Sequence, residues 1–387
     1  MTRWAGLCKM PRNMRMFRVA ALSLFVATVH LHAQVETRDP LPVPDLPGYR
    51  TLKADLHLHS VFSDGVVWPT VHVREAWRDG LDVVSLTEHL EYRPHVADVP
   101  GDVGRSYVVA KPVADELGIV LIPGVEITKP ASPEAPDGAT AHFNALFVTD
   151  AAALHVPDLF EALKKARAQG AFVFWNHPGF RVPAAEWFPA IAAAHEQQLF
   201  EGMELVNGPQ FYPEAFPWIA ARRLTILCNS DAHEPTPPRA RGGVRPMTLI
   251  FARTRDAEGV REALVARRTV AWMGGELWGA AEYLRGLWSG AVRLDPTRVK
   301  AGTFGYLIAR NSSALAFRYV ARPSPSWLRL EPGTIQPEGE SLLRARITAD
   351  APPGAAAIEI ELEVTNMHAE PGRNLVVRMP VQIHVDK

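Results

Sequence analysis

Short apolar runs alternate with segments of helical spacing along the chain up to about residue 297. Segments in which apolar positions recur every three or four residues include 69–79, 159–169, 183–197 and 256–267. This repetition of strand and then helix predicts a parallel sheet covered by helices. When such a sheet closes into a barrel, catalytic groups gather at the C-terminal ends of its strands. We therefore expect an α/β fold whose functional residues lie at strand ends.

From about residue 298 the pattern changes to short segments in which apolar and polar residues alternate, as in 357–364. Turns that contain proline and glycine, such as 331–333 and 352–354, separate these segments. Alternation with a period of two and frequent turns predicts a small antiparallel β-sandwich at 298–387. Because this region holds no cluster of candidate ligands, we expect it to be a structural or docking domain.

The N-terminus has the pattern of a secretory signal. Basic residues within 14–18 precede the apolar run 19–28, and Ala33 ends a cleavage site. The apolar run is too short to span a membrane. We expect a Sec-type signal peptide at 1–33, whose removal leaves no transmembrane anchor and places the protein in the periplasm or outside the cell. The alternative is a disordered N-terminus with a later start of translation.

Composition limits the choice of partners. The 387 residues suffice for about two domains, which we expect to be a barrel at 49–297 and the sandwich, after a proline-rich extended leader at 34–48. Without residues 1–33, 36 basic residues oppose 42 acidic ones, a net charge of −6. This balance gives no reason to expect binding of bulk nucleic acid, although a local basic pocket for one phosphate is compatible with it. Cys228, the only cysteine after cleavage, is expected to be a buried core thiol.

Two pairs of metal-binding residues share one local format, His57-Leu58-His59 and Asp231-Ala232-His233. Each pair follows an apolar run, and residues two apart on a strand point to the same face. Each pair can therefore direct two ligands at one point, as a divalent cation requires. Further candidates lie at or near other predicted strand ends: Asp64, His89, Glu126, His142 and His177.

Together these residues predict a multinuclear metal site. His142 is the exception in its placement, because it precedes its apolar run instead of ending it. Mixed imidazole and carboxylate ligands suit Zn²⁺, Mn²⁺ or Fe²⁺. Asp55 shares the strand face of the first pair but lies deeper, so we expect it to support a ligand and not to bind metal. The remaining histidines are interpreted as core or surface groups, and His72 and His195, which lie in predicted helices, as surface groups.

The motifs at these positions resemble those of the PHP (polymerase and histidinol phosphatase) family of metal-dependent phosphoesterases. They are DLHLHS at 55–60, TEH at 87–89, PGVEIT at 123–128, NHPG at 176–179 and NSDAH at 229–233. The resemblance covers roughly 50–297 and implies a distorted seven-stranded β/α barrel. The segments 245–252 and 267–288 also resemble a narrower group, exported bacterial PHP phosphoesterases with a C-terminal β domain, of which some are regarded as phosphodiesterases.

The resemblance also implies two to three divalent metal ions. One would be held by His57, His59, Glu126 and Asp231; Glu126 would bridge to a second held by His142 and His177; Asp64, His89 and His233 would hold a third. Two cations that share a water generate hydroxide near neutral pH. A nearby arginine would neutralise phosphate oxygens, and the candidates are Arg181, Arg241 and Arg245. Asp64 or His233 could assist the leaving oxygen.

The expected substrate is a small phosphoester, and we favour a diester. A monoesterase must recognise two negative charges, which favours a closed pocket with several cationic groups, whereas a diesterase needs an open trough with apolar walls. The loops offer aromatic residues for such walls: Phe62, Trp68, Tyr92, Phe180, Trp187, Phe211, Tyr212 and Trp218. The alternatives are a phosphomonoesterase that resembles histidinol-phosphate phosphatase and a non-catalytic metal- or phosphate-binding module. The oligomeric state is left open.

Overall fold

A computed structural model describes residues 37–130, 140–182, 184–238, 245–322 and 325–387, and residues 38–387 form one compact unit. The first part of this unit alternates strands and helices. Its elements are β1 (Arg50–Asp55), α1 (Pro69–Arg78), β2 (Val83–His89), α2 (Arg105–Leu117), β3 (Val120–Pro130), β4 (Thr140–Leu146), α3 (Leu159–Ala168), β5 (Phe172–Trp175), α4 (Pro189–Glu196), β6 (Gly202–Asn207), β7 (Gln210–Phe211), α5 (Ala215–Arg222), β8 (Thr225–Asn229), β9 (Met247–Ala252), α6 (Ala257–Val265), β10 (Thr269–Met273), β11 (Glu276–Gly279) and α7 (Ala281–Ala291).

The strands of this part lie in the order β10-β9-β1-β2-β3-β4-β5-β6, and β8 pairs with β6. β1, β2 and β3 are parallel to one another, as are β5, β6 and β8. After β1, a parallel bridge joins Leu58 to Ala232, and the amide of His59 donates to the carbonyl of Ala232 at 3.0 Å. This bridge brings the residues that follow β8 beside those that follow β1. The predicted α/β architecture with a largely parallel sheet is confirmed.

β4 departs from the predicted parallel repeat, because it runs antiparallel to both β3 and β5. Its first residues therefore lie at the edge where the parallel strands end. This direction explains why His142 precedes its apolar run and still reaches the same edge as the other candidates. β3 also continues past Glu126 to Pro130, since its last residues pair with β4 after the pairing with β2 ends.

The helices begin where capping chemistry allows. Asp158 and Asp256 are the N-caps of α3 and α6, and their side chains accept from the amides of Glu161 and Gly259. The helix expected from residue 183 begins only at Pro189, which occupies the first turn after the extended Phe188. Proline is tolerated at that position, and it disfavours helical backbone in the residue before it. No helix in the described part of the chain is long and apolar enough to cross a membrane.

The second part of the unit consists of strands alone. They are β12 (Val292–Leu294), β13 (Thr297–Lys300), β14 (Phe304–Asn311), β15 (Phe317–Arg322), β16 (Leu328–Leu330), β17 (Gly333–Ile335), β18 (Gly339–Ile347), β19 (Gly354–Glu370) and β20 (Arg373–Asp386). One sheet contains β13, β20, β19, β15 and β17, and a second, four-stranded sheet has the order β12-β14-β18-β16. Alternate residues of the strands are buried, as in β18. The predicted second, antiparallel β region is therefore present.

The barrel and the sandwich share hydrogen bonds and core. β11 pairs in parallel with β19, so the barrel strands and the first sandwich sheet form one continuous sheet. Trp288 of α7 packs edge-on against Phe317 of β15, with ring centroids 5.0 Å apart. The expected boundary at 297 falls at the first residue of β13, and β12 already pairs with β14 of the sandwich.

The proline-rich leader packs closely against the barrel helices over the residues that the structure describes. Leu41 and Leu46 are buried. A Cβ atom placed on Gly286 or Gly290 of α7 would lie 2.7 Å from Leu46 or Pro44 respectively, so only glycine permits this approach. The carbonyl of Pro42 accepts from the amide of Ala314 in the sandwich.

Candidate metal centre

The two histidines that follow β1 face one point inside the barrel. Both side chains are fully buried, and their Nε2 atoms lie 3.1 Å apart. Asp231 Oδ1 lies 3.1 Å from each Nε2 atom, and Glu126 Oε2 lies 3.0 Å from each. Four ligand atoms from three separate strand ends therefore surround one point at distances typical of the shell of a bound cation.

Glu126 connects this group to a second one through its other oxygen. Oε1 lies 2.6 Å from Nδ1 of His142 and 3.7 Å from Nε2 of His177. The two carboxylate oxygens thus face different sets of histidines, as the bridging role implied by the family resemblance requires. His142 comes from the antiparallel β4, whereas His177 lies in the loop after β5.

The remaining candidates form a third group on the open side of the cluster. Asp64 Oδ1 lies 3.3 Å from Nε2 of His233, and Asp64 Oδ2 lies 3.7 Å from Nε2 of His89. His233 is the most exposed of the candidate ligands, at 35% of its side chain. The third group therefore borders the solvent, from which a substrate would approach.

The structure brings all nine predicted ligands together. Their ligand atoms form four overlapping groups, each with its atoms within 4.8 Å of one another: His59, Asp64, His89 and His233; His57, His59 and Asp231; His57, Glu126 and His177; His89, Glu126 and His142. The grouping differs from the expected one in that His89 also lies beside Glu126 and His142. Coordination by each residue stays a prediction.

The electrostatics of the cluster fit divalent cations. Asp64 Oδ1 and Asp231 Oδ1 are buried and accept no hydrogen bond of good geometry from the residues that the structure describes. Burial lowers the pKa of His59, but its close contacts with the carboxylates of Asp231 and Glu126 outweigh this effect and raise that pKa to about 10. Burial raises the pKa of Asp231, but the charge of His57 outweighs it and holds that pKa well below its usual range. The carboxylates thus call for positive charge at the positions where cations would bind.

Two of the candidate ligands adopt left-handed backbone, with φ of 23° at His177 and 52° at Asp231. This conformation is unfavourable for residues other than glycine, and it persists at functional sites where the surrounding structure fixes it. The carbonyl of His57 accepts from the amide of Asp231 at 2.9 Å and fixes the second of these turns. The backbone strain therefore lies at two candidate metal ligands.

Glu204 on β6 is a functional residue that the sequence analysis missed. It is fully buried, and its Oε1 accepts from Nδ1 of His57 at 2.9 Å, so Nε2 of His57 is left to face the cluster. Oε2 accepts from the amide of His177 and from Asn207, each at 2.9 Å. A carboxylate that fixes the tautomer and orientation of a histidine is a common support for metal ligands. Glu204 could have been noticed in the sequence, because it is an acidic residue between Met203 and Leu205 in an otherwise apolar strand.

Glu88 and His72 support the loop between His59 and Asp64. The buried Glu88 accepts from the side chains of Ser60 and Ser63. His72 was expected at the surface of a helix, but it is fully buried and lies 2.8 Å from the carbonyl of His59. The helical pattern identified α1 correctly but did not show which of its faces packs beneath the metal loop.

Arg245 was expected to contact phosphate, and the structure does not place it there. Its guanidinium is buried and donates to Asp55 Oδ2 from Nε at 3.0 Å and from Nη2 at 2.8 Å. A third contact joins it to Asp79 at 3.3 Å. Asp55 also accepts from the amide of Ser230, so the expectation that it supports a ligand agrees with its position. Through Asp55, Arg245 fixes the turn before Asp231, and each of its three nitrogens contacts one of these buried carboxylates.

Arg181 is at the rim of the cluster, as expected. It is exposed, and its Cζ lies 5.0 Å from the ring centroid of Phe180. The Phe180 ring lies 4.9 Å from that of His177 and 5.2 Å from that of His142. Tyr92 meets His89 on the other side at 6.4 Å. Arg241 lies outside the described residues.

Not every aromatic residue named above lines the rim. Trp187 and Trp218 lie 5.7 Å and 6.2 Å from Trp175, inside the packing of α4 and α5 against the barrel. Tyr92 and Phe180 are exposed at 58% and 37% and remain as walls beside the cluster. The apolar part of the rim is thus narrower than the sequence predicted.

A cluster of this kind at the C-terminal edge of an α/β barrel is typical of metal-dependent hydrolases. No family model matches the chain. A two-domain protein of Bacteroides vulgatus, described as containing a predicted PHP-like metal-dependent phosphoesterase, has a similar crystal structure, with a TM-score of 0.80 and 37% identity. The match covers 89% of this chain and 99% of the Bacteroides chain. The chain belongs to the PHP-like metal-dependent phosphoesterases, which are hydrolases acting on phosphoric ester bonds.

A curated relative matches a much shorter region. A 5'-3' exoribonuclease of Haemophilus influenzae is 40% identical over 78 residues, which are 20% of this chain and 24% of the exoribonuclease. The match thus spans about a quarter of the length of that relative.

Proposed function

We propose that this protein hydrolyses small phosphodiesters at the metal cluster, with two to three divalent cations of zinc, manganese or iron. The observation that carries the proposal is the composition of the rim. Two exposed aromatic side chains, Tyr92 and Phe180, border the histidines, and the guanidinium of Arg181, a candidate phosphate-binding arginine, lies over the Phe180 ring. One guanidinium and apolar walls suit a substrate with a single negative charge and two substituents.

The same observation weakens the case for a monoester. A terminal phosphate carries two negative charges, and a site that selects it benefits from several cationic side chains. Arg245 would have been a second cation, but its guanidinium is buried and paired with Asp55 and Asp79. The rim of described residues therefore offers fewer charged donors than a monoesterase would need.

The side chains of the cluster have distinct proposed roles. Divalent cations, when bound, lower the pKa of a water and neutralise charge on the phosphate. Glu126 holds two of the ligand groups together, and Glu204 orients His57. His233 and Asp64 lie at the exposed side, 3.3 Å apart, where either could assist the leaving oxygen.

A paired assay tests the substrate preference. Protein supplemented with Mn²⁺, Zn²⁺ or Fe²⁺ is given bis(p-nitrophenyl) phosphate and p-nitrophenyl phosphate in parallel. We expect the higher kcat/KM on the diester, and Arg181→Ala to raise KM for it. A clearly higher kcat/KM on the monoester would refute the diester proposal and leave the metal cluster untouched.

Two alternatives make different predictions. A phosphomonoesterase that resembles histidinol-phosphate phosphatase would prefer the monoester in that assay. A non-catalytic metal- or phosphate-binding module would hydrolyse neither substrate. Elemental analysis of protein purified without chelator adds a check, because the cluster should retain at least two tightly bound metals per chain. Fewer than two would contradict the multinuclear site.

We further propose that the protein is exported to the periplasm or beyond. The support is the basic and then apolar pattern of the predicted signal at 1–33, which lies outside the described residues. The expected result is a mature protein that begins near Gln34 in the periplasmic fraction, as measured by mass spectrometry. Full-length protein retained in the cytosol would contradict export.

A further inference from the structure

The outer face of the four-stranded sheet exposes large apolar side chains. Phe304 and Tyr306 on β14 are exposed at 52% and 51%, and Leu342 on β18 at 65%. The register places Leu342 opposite Ile308 and Arg344 opposite Tyr306. Leu342 is therefore a diagonal neighbour of Tyr306, and Phe304, Tyr306 and Leu342 form a continuous patch. A contiguous apolar patch on a soluble domain marks a surface that contacts a partner.

Arginines lie beside this patch in an arrangement that is unfavourable without an anion. Arg329 of β16 lies directly opposite Arg346 of β18, which in turn lies opposite Phe304. Like charges placed directly opposite on one sheet face repel each other. Both arginines are exposed, and among the residues that the structure describes no carboxylate is within ion-pair distance of either guanidinium. Arg344 lies over the Phe304 ring at 4.3 Å and differs from these two, because its Nη1 is 3.4 Å from Oε2 of Glu331.

The opposite face of the sandwich shows that this arrangement is not general. There Arg322 lies 3.4 Å from both Glu361 and Glu363, and Arg378 lies 3.1 Å from Glu361. Each of these arginines therefore has a carboxylate partner within the chain. On the outer face of the four-stranded sheet Arg344 likewise pairs with Glu331, but Arg329 and Arg346 have no such partner among the described residues.

We infer that the face formed by Phe304, Tyr306, Leu342, Arg329, Arg344 and Arg346 is a docking surface for an anionic lipid bilayer. Arg329 and Arg346, which have no described carboxylate within ion-pair distance, fit acidic headgroups. Tyr306 suits the boundary between headgroups and acyl chains. A soluble polyanion would satisfy the arginines but leave Leu342 and Phe304 in water. A bilayer accepts both. Such binding combines charge with apolar burial, which together hold a peripheral protein on a membrane.

Vesicle co-sedimentation of the full chain tests the inference. We expect binding to phosphatidylcholine vesicles that contain one third phosphatidylglycerol, weaker binding at high salt, and little binding to pure phosphatidylcholine. Arg329→Ser/Arg346→Ser should weaken binding to the acidic vesicles by about tenfold or more. Phe304→Ser/Leu342→Ser should also weaken it, with the loss persisting at high salt. The matched control, Arg322→Ser/Arg378→Ser, removes the same charge from the opposite face and should bind as the wild type does.

Other outcomes would overturn the inference. Wild-type binding by Arg329→Ser/Arg346→Ser, or no preference for acidic vesicles, removes the role of the arginines. Equal affinity for dextran sulfate would assign the face to a soluble polyanion, and a dimer in solution that Leu342→Ser dissociates would assign it to a second copy of the chain. Hydrolysis of bis(p-nitrophenyl) phosphate, measured without vesicles, shows whether each variant is folded, because none of these residues belongs to the metal cluster.

Discussion

The catalytic edge of the barrel and the outer surface of the sandwich both carry dense charge, but they place it differently. At the barrel edge, Glu126, Glu204 and Asp55 are almost wholly removed from solvent. On the sandwich, Glu361 meets Arg322 and Arg378 in pairs that remain exposed to water on the arginine side. Charge buried away from water is destabilising unless it is paired, whereas an exposed pair contributes little in either direction.

Buried charge at the barrel edge and exposed ion pairs on the sandwich tolerate substitution to different degrees. The sandwich pairs are compatible with many substitutions, because water solvates whatever remains. The barrel edge has no such freedom, since each buried carboxylate depends on a particular neighbour or on a cation.

Glu126→Ala removes the carboxylate that both sets of histidines share. We expect turnover to fall by at least about 10³-fold and metal to be lost from more than one position. His142→Ala or His177→Ala should each have a smaller effect, because each changes one group. Steady-state kinetics and elemental analysis measure the result, with Glu161→Ala on the exposed face of α3 as control. Near wild-type turnover and metal content in Glu126→Ala would refute the bridging assignment.

Arg245→Ala leaves the buried Asp55 without its partner. We expect the free energy of unfolding to decrease by about 3–5 kcal/mol, as measured by denaturant titration of metal-free protein. Arg378→Ala, which removes an exposed arginine, should change it by less than about 1 kcal/mol. Asp55→Asn in the Arg245→Ala background should restore part of the loss. Equal stability of the two single variants would show that burial is not what distinguishes the regions.

Glu204→Gln keeps the shape of the side chain but removes the charge that orients His57. We expect metal affinity to fall by about 10–100-fold, with a smaller change in kcat once metal is saturating. Calorimetric titration with metal measures the affinity, and kinetics at saturating metal measure kcat. Glu201→Gln, three residues earlier and partly exposed, is the matched control. Unchanged affinity in Glu204→Gln would mean that this carboxylate only fills space.

The exposed pair of Arg378 and Glu361 provides the lower end of the comparison. A double-mutant cycle with alanine at both positions should give a coupling free energy below about 1 kcal/mol, and less at high salt. Thermal or denaturant unfolding of the four proteins gives this value. A coupling as large as the Arg245→Ala effect would contradict the contrast between the two regions.

The sequence was sufficient to identify candidate metal ligands that lie at the end of a predicted strand or just after it. His57 and His59 could be assigned to one point because alternation on a strand places residues two apart on one face. The same argument identified Asp231 and His233 as candidates, but the structure places His233 beside Asp64 in the third group. The family resemblance added the grouping of the ligands. Neither argument could position Arg245, because a single arginine after a metal motif has the same sequence pattern whether it faces substrate or a buried aspartate.

Other features depended on contacts between distant segments. Glu204 and His72 are both buried by residues far away in the chain, and local periodicity does not report such burial. The antiparallel direction of β4 follows from its pairing with β3 and β5, which a strand-and-helix pattern does not encode. The late start of α4 could have been predicted, since Pro189 is a recognisable first-turn residue.

The pairing of β11 with β19 determines whether the barrel can be separated from the sandwich and joined to another protein. A module that moves between proteins needs a boundary that few hydrogen bonds cross, and here the backbone ladder itself crosses it. A barrel transferred without the sandwich would carry β11 as an open edge, which invites pairing with other chains. We therefore expect residues 38–387 to be transferable only as a whole. Chimaeras joined near residue 297 should aggregate unless β19 accompanies β11.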